Sequence, residues 1–157
     1  MDKIKIIEQP DLESVMKIDI GAPAAAIYYY LERMGGDNGY YSYDSFFRLQ
    51  GAIGKGKPRL RSLDGNLYPG GKIDFFVIEK FETDKMLLLS FKAPGITGES
   101  SFYLQENENS ITHLSNEVRM NFLSSIGKIY WKIVQPFDFI LRKKMLKNIK
   151  KFAESEE

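Results

Sequence analysis

Few residues in this chain are of types that do chemistry. It has no cysteine and one histidine, His113. Thiol catalysis, disulfides and Cys-ligated metal sites are excluded, as are His-rich metal sites and most triads needing a second histidine. Asp74 lies in a run otherwise rich in apolar residues. Burial there would raise its pKa and suit it to general acid–base work, whereas pairing with an Arg or Lys would make it structural. Nothing in the spacing brings Asp74, Glu79 and Asp138 together, so no carboxylate pair is assigned. Leu114, Val118, Met120 and Phe122 alternate on the apolar face of a strand. Asn116 shares that face, where a buried amide must bond to protein, water or ligand. His113 falls on the other face with Ser115, Glu117 and Arg119, which reads as the solvated side.

Six tyrosines crowd one stretch: Tyr28, Tyr29, Tyr30, Tyr40, Tyr41 and Tyr43, joined by Phe46 and Phe47. They either pack small helices against a sheet or wall a pocket. Tyr40, Tyr41 and Phe47 are the first choices for a wall. Gly51 to Lys57 has the GxxxxGK spacing of a phosphate loop, but Pro58 replaces the Ser/Thr that would hold Mg²⁺. A flexible basic loop is the better reading. Its Lys55, Lys57, Arg59 and Arg61 would flank a pocket mouth, or simply be solvated.

The elements that must position these residues follow from periodicity. Met16, Ile18 and Ile20 share one face and Val15, Lys17 and Asp19 the other, a half-buried strand. Pro23 suits the first turn of a helix carrying Ile27, Tyr30, Leu31 and Met34. A second short helix is expected from Tyr43 to about Ile53, and a short strand near Arg59 to Leu63. Four strands follow, 72–81, 85–92, 100–106 and 110–122, with 93–99 read as a longer loop or bulged corner. From Ser124 to Phe152 the period is helical. The stripe is read as Ile126, Ile129, Tyr130, Ile133, Phe137, Ile140, Leu141, Met145, Ile149 and Phe152, with a kink or break near Pro136. Arg142, Lys143, Lys144, Lys147, Lys150 and Lys151 then complement the helix dipole; a membrane-surface patch is the rival reading, weakened by the nearby Glu154, Glu156 and Glu157.

The chain has 157 residues and a formal charge of +1. That fits one domain, 1–157, with an N-terminal segment over 1–12 and an acidic tail over 153–157. Near-neutrality argues against a nucleic-acid binder. No apolar run approaches the roughly 18 residues of a membrane span, and no secretory signal opens the chain. A cytoplasmic protein is expected. The class is α+β: a curved antiparallel sheet wrapped around a long C-terminal helix, with two short helices between the first and second strands. A twisted sheet cannot lie flat on so long a helix, so a cavity is expected between them.

With these elements, Gly35-Gly36, Gly39-Tyr40-Tyr41, Gly71 to Asp74, Pro94-Gly95, Tyr130-Trp131, Pro136-Phe137 and Met145 resemble the START-like or SRPBCC superfamily, the helix-grip fold. More narrowly, the chain is similar to a bacterial domain of unknown function often fused to an NAD-binding short-chain-dehydrogenase-like domain. Asp138 stands where that family usually has a histidine. The resemblance implies a hydrophobic cavity for a lipid-like or aromatic small molecule, and a dehydrogenase-like partner by analogy. No cofactor and no metal are expected. The ligand-binding set is Tyr40, Tyr41, Phe47, Asp74, Phe91, Asn116, Met120, Tyr130, Ile133 and Phe137. Ile126 on the helix, and Leu89, Phe102, Leu114 and Val118 on the sheet, extend the walls. Trp131 and Asp138 are left open between cavity and solvent. The rival functions are a cyclase- or hydratase-type enzyme using Asp74 and tyrosines, and an interaction module with a filled core.

Overall fold

The alternation in the first strand is realised in the structure. In a computed structural model that describes residues 5–35, 41, 67–73 and 75–155, β1 (Leu12–Ile20) turns Met16, Ile18 and Ile20 inward and leaves Val15 exposed. Helix α1 (Ala24–Leu31) follows directly after Pro23. The Glu106 carboxylate accepts the N–H of Ala24 at 2.9 Å, supplying the cap that Pro23 lacks. Ile27, Tyr28 and Leu31 form its buried face. The second short helix and the strand expected over 43–63 fall outside the described residues, as do Tyr40, Phe47 and Asp74.

The remaining strands are β2 (Lys72–Ile73), β3 (Phe76–Glu82), β4 (Met86–Ala93), β5 (Ile96–Glu106) and β6 (Thr112–Phe122). They form one antiparallel sheet in the order β1-β6-β5-β4-β3-β2. The segment expected as a long loop over 93–99 is instead a tight hairpin. Ala93 pairs with Ile96 across Pro94-Gly95, and Gly95 takes φ +68°, which only glycine adopts without strain. β5 therefore starts early. Gly98 lies opposite Phe91, whose ring covers the position a Cβ would fill.

Helix α2 (Ser125–Ser155) runs unbroken through Pro136. Pro136 is exposed, so the carbonyl deprived of its donor lies on the wet side. The register of α2 differs from the expected stripe. Ile126, Ile129, Ile133, Phe137 and Ile140 face outward, and the buried residues are Gly127, Trp131, Leu141, Arg142, Met145, Leu146, Ile149 and Ala153. The first half of α2 is apolar on two sides, so periodicity alone picks the stronger stripe, which is the outer one. The main core joins α1, the second half of α2 and the inner faces of β1, β4, β5 and β6, through Ile27, Leu31, Leu87, Leu114, Met145 and Ile149. Each such side chain contributes about 1.5–3 kcal/mol on burial.

The outer face of β6 is a second departure. His113 is exposed beside Asp19, as expected. Glu117 and Arg119 are buried rather than solvated. The Arg119 guanidinium donates to Glu13 at 2.9 Å, Glu99 at 3.2 Å and Glu117 at 3.0 Å. Glu99 in turn accepts the N–H groups of Ile6 (2.8 Å) and Ile7 (3.2 Å), so the N-terminal segment roofs this ion cluster. Burial pushes the guanidinium pKa down, and the carboxylates outweigh it and hold the group charged.

Candidate functional site

Between α2 and the concave face of the sheet lies a cavity of about 260 Å³, open on one side. The sheet register builds one wall. Across β1, β6, β5 and β4, Leu12–Met120–Gly98–Phe91 and Ser14–Val118–Ser100–Leu89 form adjacent inner rows. The absent side chain at Gly98 leaves room into which Phe91 leans, and Phe91 meets Phe76 edge-on with centroids 5.7 Å apart. The helix wall is Tyr130, Trp131, Val134, Asp138, Arg142 and Met145. Their spacing follows one face of a 3.6-residue period.

The cavity has one polar end, and it is wired. Arg142 is 4% exposed. Its Nε donates to Asn116 Oδ1 at 2.8 Å. One terminal nitrogen donates to Ser14 Oγ at 2.8 Å and to Asp138 Oδ2 at 3.4 Å. The other donates to the carbonyls of Ser14 at 3.1 Å and Asn116 at 3.2 Å. All five N–H donors are thus spent on protein, and the arginine holds none in reserve for a ligand anion. Asn116 completes the network by donating to Ser100 Oγ at 3.1 Å and the Ser101 carbonyl at 3.2 Å. Burial lowers the Arg142 pKa against the pull of Asp138. Burial likewise raises the Asp138 carboxyl above its usual range, and the attraction of Arg142 only partly offsets it.

Among the described wall residues, the Ser100 hydroxyl and the Trp131 indole each keep an unspent donor. Ser100 Oγ accepts from Asn116, so its own proton is free to donate. The Nε1–H of Trp131 is buried without a partner, at a cost of about 1–3 kcal/mol.

Of the residues expected at a ligand, the structure brings Phe91, Asn116, Met120 and Tyr130 together around this cavity. Ile133 lies on the opposite side of α2, more than half exposed, and Phe137 also turns outward. Ile126 does the same, so the helix wall expected from sequence is rotated by about one residue, roughly 100°, with Tyr130 common to both. Tyr41 packs elsewhere: its hydroxyl donates to the Tyr30 carbonyl at 2.9 Å, and its ring meets Tyr30 and Phe152. On the sheet, Leu89, Phe102 and Val118 line the cavity, while Leu114 is core. Trp131 and Asp138 belong to the wall. Ser100 and Arg142 were not singled out as cavity residues in the sequence; Arg142 sits at the head of a lysine run and reads there as one more surface cation.

No protein-family model matches the chain, and no curated protein matches it. Solved structures do. A hypothetical protein of Helicobacter pylori superposes with a TM-score of 0.59 at 11% identity, covering 98% of this chain and 97% of that one. A protein of Nitrosomonas europaea gives 0.56 at 12% identity, over 93% and 96%. A START superfamily protein of Mycobacterium smegmatis gives 0.53 at 10% identity, over 92% and 99%. The fold is START-like. At these identities the likeness is one of architecture, and a site must be argued from its own residues. No helix among the described residues is long and apolar enough to cross a membrane.

Proposed function

We propose that this START-like protein binds a compact hydrophobic or amphipathic small molecule, with at least one oxygen acceptor, between α2 and the sheet. The observation that carries the reading is the cavity itself. Its apolar walls end in a polar cluster satisfied by protein, and the wall includes one buried donor, Trp131 Nε1–H, with no partner. At about 260 Å³ the space lies just under the usual range of small-molecule clefts. It suits a compact ring system, or the end of a longer chain that leaves through the open side. A carbonyl oxygen at the inner end would accept from the Ser100 hydroxyl or the Trp131 indole N–H, and a hydroxyl would in addition donate to Asp138. Because Arg142 is fully engaged, a neutral oxygen fits better than a carboxylate.

The test is native mass spectrometry of the purified chain, paired with thermal shift against fatty alcohols, aromatic ketones and their hydrocarbon counterparts. A retained adduct, or a rise in Tm with oxygen-bearing members, is expected. Val134→Trp fills the cavity from the helix side, and it should abolish binding while leaving the circular dichroism spectrum unchanged. Silence across the whole panel, or unaltered binding in the filled variant, would overturn the reading.

A further inference from the structure

The outer side of α2 carries an observation of a different kind. Ile126, Ile129, Ile133 and Ile140 stand on it at 65%, 60%, 65% and 53% exposure, and Leu123, just before the helix, at 69%. Their spacing of i, i+3, i+7 and i+14 makes one stripe about 21 Å long at 1.5 Å per residue. Scattered exposed apolar residues are ordinary, but a continuous stripe of this length is not.

Among the described residues of α2, the exposed charge beside the stripe has one sign. Lys128 and Lys132 flank it, and Lys143, Lys144, Lys147 and Lys151 continue its outward side, all exposed. The carboxylates of α2 are two. Asp138 is turned inward to Arg142, and Glu154 is paired with Lys150 and the N–H of Gly21. Between Ser125 and Ala153, then, the exposed face of α2 presents lysines and no carboxylate. The whole chain is nearly neutral, so this is a segregation of charge rather than a basic protein.

We propose that this face of α2 docks the protein on an anionic lipid surface, the isoleucine stripe lying at the headgroup–acyl boundary with the lysines on lipid phosphates. An apolar stripe edged by lysines is the pattern of a helix lying in a membrane interface, and each lysine near such a surface adds attraction. Lysine stems reach from beside an inserted stripe to the headgroups. A second copy of the chain is the weaker occupant, because two such faces would set lysines against lysines with no carboxylate on either. The same stretch of α2 presents Tyr130, Trp131 and Val134 to the cavity, on average about a third of a turn round the helix from the stripe. The docking stands without the cavity having any ligand.

Co-flotation of the full chain with vesicles tests it. Phosphatidylcholine vesicles containing phosphatidylglycerol should carry the protein, pure phosphatidylcholine vesicles should carry far less, and added salt should weaken the binding. The double variant Ile129→Glu, Ile133→Glu should lower partitioning by about 100-fold, as expected for losing two inserted isoleucines. Lys143→Glu with Lys147→Glu should lower it less and flatten the salt dependence. All four positions are exposed, so Tm and helix content serve as controls for folding. Absence of wild-type flotation on anionic vesicles, or flotation of the isoleucine variant equal to wild type, would overturn the proposal. So would a wild-type dimer in sedimentation that the isoleucine variant dissolves while flotation stays the same.

Discussion

Trp131 holds the sharpest residue-scale question, since its indole N–H is buried without a partner. Removing an unsatisfied donor recovers its desolvation penalty, which offsets the volume lost. Trp131→Phe should therefore leave Tm within a few degrees of wild type. It should weaken an oxygen-bearing ligand by about tenfold and leave a hydrocarbon of the same body unaffected. Equal loss for both would show the ring, not the N–H, to matter. Asp138 gives a pH prediction. Its folded pKa is raised from the ordinary 3.8, so folding takes up a proton. Stability then falls as pH rises through the window above 3.8, and is recovered on acidification. Asp138→Asn keeps the shape without the charge. It should melt above wild type at neutral pH, the gap closing as pH falls toward the ordinary carboxylate value. A variant less stable at neutral pH would show that the contact with Arg142 outweighs burial.

Between elements, the start of α2 meets the β4–β5 hairpin at two glycines. A Cβ on Gly127 would sit 2.1 Å from the Gly95 carbonyl oxygen, and one on Gly95 would sit 2.4 Å from the Gly127 nitrogen. Alanine is ordinarily the better helix former by about 1 kcal/mol. Here the clash falls on backbone, which cannot swing aside. Gly127→Ala should destabilise by about 1–3 kcal/mol, measured by urea denaturation, and should move the helix wall enough to weaken ligand binding. A neutral or stabilising outcome would show the two backbones free to part. The glycines of Pro94-Gly95 and Ser125-Ile126-Gly127 are visible in the sequence as a turn and a helix start. That they touch is a tertiary fact.

At the scale of the molecule, the sheet is covered on both faces. The cavity and α2 cover one, and the N-terminal segment with its ion cluster covers part of the other. Arg119 faces three carboxylates, of which Glu99 and Glu117 are buried. Removing the one cation leaves those charges uncompensated, so Arg119→Ala should cost about 3–5 kcal/mol in chemical denaturation. It should also free residues 5–8 to limited proteolysis. Loss of stability without release of that segment would separate the cluster from the clasp. The solved neighbours at 10–12% identity share the architecture, as expected when fold is carried by pattern and length more than by particular side chains.

Pattern determined much of this protein in advance. Strict alternation identified the inner faces of β1 and β6, and with them Asn116 and Met120 at the cavity. A long helical period after the last strand implied a gripped helix and a space beside it. The rotation of that helix belonged to the tertiary structure. Periodicity assigns a buried face when only one face is apolar, and the first half of α2 offers two. The choice went to the less hydrophobic face because the sheet presents Asn116 and the carbonyls of Ser14 and Asn116, acceptors that need donors once buried. Arg142, six residues beyond Pro136 and four beyond Asp138, supplies them. Satisfying buried polar groups outweighed burying isoleucines, and the isoleucines were left facing out.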